Sequence, residues 1–531
     1  MNFKININGR FGNFLLSFLS GILLILIFPE FNLEFIAWIA LIPLFISINN
    51  SKSFKESFFY GFISGLIFYA GILYWIVYTV HVFGNLSYYI SIFALLLLSS
   101  YLALYIGFFA GFAKIFINHA TKNTKINKYF ASLSFILVPS CWVFFEYLKS
   151  TLLTGFPWEN LGFSQYLNIP FIQISNIVGV FGLSFIIVLI NFVIFHFIFY
   201  KNIAKKQAAV EFLFALSVVL LVIAYGYFNI YSVKKSLSGR KYYRVAAIQG
   251  NIGMFQKWKI TKKRTTRIYL NLTKKAMLYK PYLVLWPETS LPYIISAYPA
   301  YWDKVMNFTE KNKIDLIFGA IGARFYNHKE HYYNRDYMFT KTGQYSYYDK
   351  HHLVPFGEYI PLRHQLPFLA HILKGAGIGN FTPGKKFRIL KGGKIKAGSM
   401  ICYEAYFDSL VRHFSKDGAN LYISITDDTW YGKTAAPYQD MSMTVFSAVE
   451  NDRYVARAGN SGISGIISPT GNIIAETEIF KRTFLIGNIK LINHKTFFAV
   501  YGNIFAHIII YIFIISMILY IYFKRRNTNK R

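Results

Sequence analysis

A series of long apolar runs limits what this chain can become more than any other feature. A hydrocarbon layer of about 30 Å is crossed by about 20 residues of α-helix. Eight runs of that kind begin near Phe11, Leu33, Phe58, Tyr88, Ala131, Ile169, Val210 and Phe498, the second short and with poorly defined ends. The first follows Lys4 and Arg10 in the manner of a secretion signal. It is too long for one, ends in FPEF without a small-residue cleavage site, and further spans follow closely. It reads as an uncleaved helix.

Composition agrees. Of 531 residues 54% are hydrophobic, 19% aromatic and only 15% charged. A soluble domain carries about a quarter charged residues, so much of this surface does not face water. A fully soluble enzyme, a disordered regulator and a coiled coil are excluded. The net charge of +32 does not require nucleic acid, because membrane proteins collect Lys and Arg in their cytoplasmic loops. Only two cysteines, Cys141 and Cys402, are present, which excludes a disulfide scaffold and a Cys-rich metal site. Their contexts differ and no disulfide between them is expected.

Loop charges give an orientation. NNSKSFKES, NHATKNTKINK, YKNIAKKQ and the tail KRRNTNKR are lysine- or arginine-rich, whereas the loops around PEFNLE and HVFGNLS carry no Lys or Arg, and KSTLLTGFPWENLG carries only Lys149. By the positive-inside rule both termini are predicted to be cytoplasmic. The expected organisation is a seven-span bundle over 1–233, an outer, periplasmic domain over 234–497, and a last span with a basic tail over 498–531. Within the fifth span Cys141 reads as packing. Glu146, in VFFEYLKS, is costly there and by default functional, with snorkelling to the interface as the plain alternative.

The outer segment alternates short apolar runs with helix-like stretches. YRVAAIQGNI, PYLVLWPE, KIDLIFGAIG, KIKAGSMICYE and ANLYISITDD are strand-like; ITKKRTTRIYLNLTKKAMLYK and PYQDMSMTVFSAVENDRYVARA are helix-like. Such alternation predicts an α/β layered domain. No internal repeat, GxGxxG after a strand, P-loop or HExxH is found. His351 and His352 are adjacent rather than four apart, which counts against a metal site.

Three residues at strand-to-loop transitions could do chemistry together: Glu288 in WPETSLP, Lys350 in YSYYDKHHLVPFGEY, and Cys402 in ICYE. A thiol of ordinary pKa is only a few per cent thiolate near neutrality and wants a base beside it. A carboxylate raised toward neutrality by burial can serve. Thiolate attack on a carbonyl makes an oxyanion, for which Lys350 and the Tyr403 amide are candidate stabilisers. Taken singly, Cys402 reads as a small buried hydrophobe and Glu288 with Lys350 as an exposed ion pair.

The three segments resemble the Glu-Lys-Cys signature of the nitrilase superfamily of carbon–nitrogen hydrolases, whose fold is an αββα sandwich. Placed between seven spans and a last one, such a domain resembles the apolipoprotein N-acyltransferase family over essentially the whole chain. AAIQGNIGMFQKW is similar to the family's domain start, DKHHLVPFGEYIPLR to its long catalytic-loop motif, and EYLKSTLLTGFPWENLGFSQ to its membrane-half signature. The resemblance implies Glu288 as general base, Lys350 as oxyanion stabiliser and Cys402 as acyl-bearing nucleophile. It implies a second, orienting glutamate at Glu358, and supporting or substrate-engaging roles for Trp258, Tyr403 and Glu404. At ITDDTWYG the chain departs from the family's usual Asn-Asp, with Asp427 in place of the Asn.

The activity so implied is transfer of an acyl chain from a phospholipid, through a Cys402 thioester, to the α-amine of a diacylated apolipoprotein. No cofactor or metal is implied, and a monomer is expected in the bacterial inner membrane. The alternatives are a membrane-tethered amide or nitrile hydrolase with the same three residues, and a transporter or receptor carrying an inactive domain. The joint presence of Glu288, Lys350 and Cys402 argues against the last, and the many spans against the hydrolase.

Overall fold

The structure is a computed structural model that describes residues 9–118, 125–199, 205–361 and 380–528. Two compact units are formed, one by Met1–Tyr74, Ile92–Phe228 and Asn503–Arg531, the other by Trp75–Ser91 and Asn229–Gly502. The short segment Trp75–Ser91 therefore packs with the second unit, although apolar helices flank it in sequence.

The first unit is helical. Among the described residues five helices are long and apolar enough to cross a membrane: Tyr88–Ile117, Ser132–Thr154, Ser175–Phe199, Ala209–Leu237 and Ile504–Arg526. Phe54–Ile72 joins Trp75–Phe83 across a 54° bend and would make a sixth, while Arg10–Leu26 and Glu34–Asn50 are shorter apolar helices. The eight apolar runs thus correspond to five full-length spans, one bent pair and two short helices. The chain is a multi-pass membrane protein.

Breaks in this bundle expose backbone groups that need internal partners. Asn191, fully buried, supplies some: its amide donates to the Ala37 carbonyl at 2.7 Å and its oxygen accepts from the Leu41 N–H at 2.9 Å. Glu146 does the same for the loop after its helix. It is 6% exposed and accepts from the Leu161 N–H at 2.7 Å and the Trp142 indole at 3.3 Å. Lys149, 3% exposed, donates to the Trp158 carbonyl at 3.0 Å. Both side chains are buried within the protein and grip the TGFPWENLG loop. Cys141 is fully buried in packing.

The second unit is an αββα sandwich. Its strands are β1 (Tyr243–Gln249), β2 (Leu283–Leu285), β3 (Leu291–Ile294), β4 (Asp315–Tyr326), β5 (Lys329–Phe339), β6 (Tyr345–Asp349), β7 (Leu390–Gly392), β8 (Ile395–Ile401), β9 (Leu421–Thr426), β10 (Val455–Gly459), β11 (Gly465–Ile467), β12 (Ile473–Glu476) and β13 (Thr483–Ile489). One sheet runs β13-β1-β2-β4-β5-β6 with β3 beside β4, the other β12-β11-β10-β9-β8-β7. Parallel pairs β1–β2–β4 and β8–β9–β10 form the middle of each sheet. Their strands are buried on both faces and read as continuous apolar runs, as parallel strands do. Helices Lys262–Ala276 and Pro299–Asn312 accompany the first sheet, Asp408–Lys416 and Ala436–Asn451 the second. The strand-like stretches and ITKKRTTRIYLNLTKKAMLYK form the elements expected of them, but PYQDMSMTVFSAVENDRYVARA is helical only to Asn451, and its end enters β10, a strand buried on both faces.

One close approach fixes the turn after β2. A Cβ on Gly319, in β4, would lie 2.4 Å from the Thr289 nitrogen and 2.8 Å from the Glu288 Cα, both backbone atoms. Thr289 itself has a left-handed φ of 43°. Gly319→Ala is therefore predicted to destabilise the second unit by about 1–3 kcal/mol, the usual cost of overpacking. The measurement is a lowered apparent unfolding temperature in detergent; unfolding at the wild-type temperature would mean that the turn yields without cost.

Candidate active site

Three strand ends meet at one place. Glu288 follows β2, Lys350 follows β6 and Cys402 follows β8. Glu288 is 7% exposed, Lys350 1% and Cys402 8%. The Lys350 ammonium lies 2.9 Å from Glu358 Oε2 and 3.5 Å from Glu288 Oε1. An exposed ion pair, the plain alternative, is thereby overturned. The cluster is buried, where charge–charge attraction is screened far less than at the surface.

Cys402 sits on a sharp turn from β8 into the short 3₁₀ helix Cys402–Tyr406, with φ at 53°. A left-handed conformation in a residue with a Cβ costs about 1–2 kcal/mol and aims the side chain off the strand end, as strained nucleophile turns do. Glu404 holds this turn and the lysine loop together. Its Oε2 accepts from the Ile401 N–H at 2.9 Å. Its Oε1 accepts from the N–H groups of His351 at 2.7 Å and His352 at 3.2 Å, and from the Tyr348 hydroxyl at 2.9 Å. Glu404 thus ties the residue before Cys402 to the residues after Lys350. Tyr403, 5% exposed, packs edge-on against Phe407 at 5.0 Å.

The charges are set by burial and by each other. Burial pushes the Glu288 carboxyl above its ordinary range, the Lys350 ammonium opposes this, and the Glu358 carboxylate adds to it. Burial alone would lower Lys350, but the Glu358 and Glu288 carboxylates hold it above the usual lysine range. Burial also pushes the Cys402 thiol well up, with Glu288 adding and Lys350 opposing. Burial raises Glu404 to about 7 against the backbone donors and Lys350. Burial, then Lys350, pull His352 down to about 4, and burial lowers His351, so neither imidazole carries charge near neutrality. The resting site is a neutral thiol beside a fixed cation and a carboxylate whose proton affinity is raised. That arrangement can take a thiol proton, stabilise an oxyanion and return the proton.

Two groups escaped the sequence reading. Asn334, in β5, donates one amide hydrogen to Glu288 Oε1 at 2.6 Å and the other to Glu358 Oε1 at 2.7 Å, while its main-chain carbonyl accepts from the Lys350 backbone N–H at 2.9 Å. A carboxamide with two donors fits between two carboxylates as no other side chain of that size does. The available signal was the polar run Asn334-Arg335-Asp336 inside an otherwise strand-like stretch. The second is Lys257, 1% exposed, on the short helix Met254–Lys259. Nothing distinguishes it in sequence from the lysines around it. Trp258 lies on the same helix, and its side chain falls outside the described residues.

The segment Trp75–Ser91 supplies aromatic walls to this unit. The Trp75 indole donates to Gln439 Oε1 at 3.2 Å and the Thr79 hydroxyl to the Trp430 carbonyl at 2.9 Å. Phe83 packs on Trp430 and Phe255 with ring centroids 5.0 and 5.4 Å apart. These contacts brace the turn Asp428–Tyr431, which follows Asp427.

Comparison with known proteins gives the same picture over both halves. Residues 20–193 match the family described as the Apolipoprotein N-acyltransferase N-terminal domain, and residues 244–494 the Carbon-nitrogen hydrolase family. Among solved structures, a carbon–nitrogen hydrolase from Helicobacter pylori G27 matches 47% of this chain and 89% of its own at 17% identity and a TM-score of 0.36. The Apolipoprotein N-acyltransferase of Geobacter metallireducens is 37% identical over 501 residues, 93% of this chain and 92% of its own. That of Wigglesworthia glossinidia brevipalpis is 30% identical over 91% of this chain and 93% of its own. Apolipoprotein N-acyltransferase 1 of Treponema denticola is 30% identical over 95% of each. The chain belongs to the apolipoprotein N-acyltransferase family.

Proposed function

We propose that this protein moves an acyl chain from a phospholipid to the N-terminal α-amine of a diacylglyceryl-cysteine on an apolipoprotein, through a thioester on Cys402. The observation that carries the reading is the buried Glu288–Lys350–Glu358 cluster, whose Glu288 and Lys350 charges act on the thiol of the strained Cys402 turn. Membership of the family and the many apolar helices favour lipid substrates over a soluble amide.

In the loading half-reaction Glu288 takes the Cys402 proton and the thiolate attacks the phospholipid ester carbonyl. Negative charge develops on the carbonyl oxygen beside the Lys350 ammonium, which Glu358 and Asn334 keep in place. Collapse breaks the ester C–O bond, and the departing alkoxide takes the proton from Glu288, releasing a lysophospholipid. In the transfer half-reaction the α-amine attacks the thioester carbonyl and gives a proton to Glu288. The C–S bond breaks, and the proton returns to sulfur. One base thus serves both steps by shuttling a single proton. Glu404 acts by holding the Lys350 and Cys402 loops in register, and Trp258 is assigned to docking the acceptor. The lysine-rich alternate loops support a catalytic unit on the outer face of the inner membrane with both termini cytoplasmic.

Cys402→Ser is predicted to abolish transfer, and Cys141→Ser to leave it largely intact. Intact-mass spectrometry after incubation with phospholipid should find the acyl adduct on wild type and none on Cys402→Ser or Glu288→Gln. Free fatty acid instead of an acylated acceptor peptide would turn the reading into hydrolysis. Loading should fall as pH drops through the raised Glu288 value, because the base must be ionised.

Asn334→Asp keeps the shape but replaces two donors by a third carboxylate. Its predicted effect is a loss of loading of about 100-fold at neutral pH, with the acid limb of the pH profile moved upward. A profile that coincides with wild type would remove Asn334 from the site.

A further inference from the structure

Lys257 and Asp427 form a buried ion pair that no step above uses. Asp427 is 2% exposed, and the Lys257 ammonium donates to its Oδ2. The same ammonium donates to the Glu288 carbonyl at 3.0 Å and to the Thr289 hydroxyl at 2.7 Å. The backbone N–H of Asp427 in turn donates to Glu288 Oε2 at 3.0 Å. Asp427 Oδ1 is anchored by the Asn460 amide at 3.0 Å and by Thr429. Glu288 is therefore gripped at its main chain by the lysine and at its carboxylate by the backbone of the aspartate.

We propose that Lys257 and Asp427 are positioning residues for the Glu288 carboxylate, a pair that holds it at both ends and balances the charge beside it. The inference rests on the reading of Glu288 as the base. The negative charge of Asp427 beside Glu288 is offset by the Lys257 ammonium. Burial raises the Asp427 carboxyl, but Lys257 and its hydrogen bonds bring it below its ordinary range, so it stays ionised. The other ionisable groups facing Glu288 are Lys350, Glu358, Cys402, Asp336 and Tyr431. Removing one partner of the pair leaves the other's charge uncompensated next to the base.

The two single substitutions should act with opposite sign. Lys257→Met leaves a bare carboxylate beside Glu288, so the acid limb of Cys402 loading should move up by about one pH unit or more. At neutral pH loading should fall by up to about ten-fold for each unit of that shift. Asp427→Asn leaves a bare ammonium and should move the limb down. The double variant Lys257→Met/Asp427→Asn should bring the limb back to its wild-type position and recover the loading lost in Lys257→Met. A residue that merely supports the fold would lower all rates without opposite shifts.

The limb is read in two ways: by acyl adduct formed with labelled phospholipid, and by the rate of Cys402 alkylation with iodoacetamide in a Cys141→Ser background. Wild type that alkylates but never acylates would sink the acyltransferase reading alone. Wild type that acylates, with single variants whose limbs coincide with its own, would overturn this inference alone. Should Lys257→Met not be recovered folded, the downward shift of Asp427→Asn still decides the matter.

Discussion

An ammonium buried between two carboxylates organises the catalytic unit. Lys350, 1% exposed, could not remain charged in an apolar interior without Glu358 and Glu288, and two such carboxylates would repel each other without Lys350. Removing one member of a buried ionic set is costly because it leaves an unpaired charge. The surrounding architecture keeps the set complete. Asn334 bridges the two acids, Glu358 closes its own turn by accepting from the Val354 N–H at 2.8 Å, and Glu404 ties the lysine loop to the cysteine turn.

The sandwich explains why these groups can be held so closely. Their strands lie in different sheets, Glu288 and Lys350 following strands of one, and Cys402 a strand of the other. Parallel strands in the middle of each sheet put several loops at a common end, where side chains from distant parts of the chain converge. A rigid pair of sheets limits the motion of each loop, so the strained φ of Cys402 can persist. The nearby turn Asp428–Tyr431 is braced in a different way, by aromatic groups from Trp75–Ser91.

The same principle operates in the helical unit with a different purpose. Asn191, Glu146 and Lys149 are buried polar residues whose partners are backbone groups freed by breaks in the helices. In an apolar surround such groups have no water to turn to, so a side chain has to supply the missing bond. Glu146 therefore carries a structural task that its position in an apolar run only hinted at.

Much of this was determined by the sequence alone, because the responsible forces are local. An apolar run long enough to cross a bilayer announces itself, and five of the eight became full-length helices. Strands buried on both faces announce themselves as short apolar runs, and Glu288, Lys350 and Cys402 stand where such runs stop. What the sequence could not decide were pairings across long separations. Asn334 between Glu288 and Glu358, Lys257 on Asp427 170 residues away, and Trp75 on Gln439 364 residues away have no periodicity to mark them. A lysine in QKWKITKKR looks like its solvent-facing neighbours until the fold closes over it. Whether a polar residue is solvated or buried against a partner depends on which strand ends the two sheets bring together, and only the tertiary structure sets that.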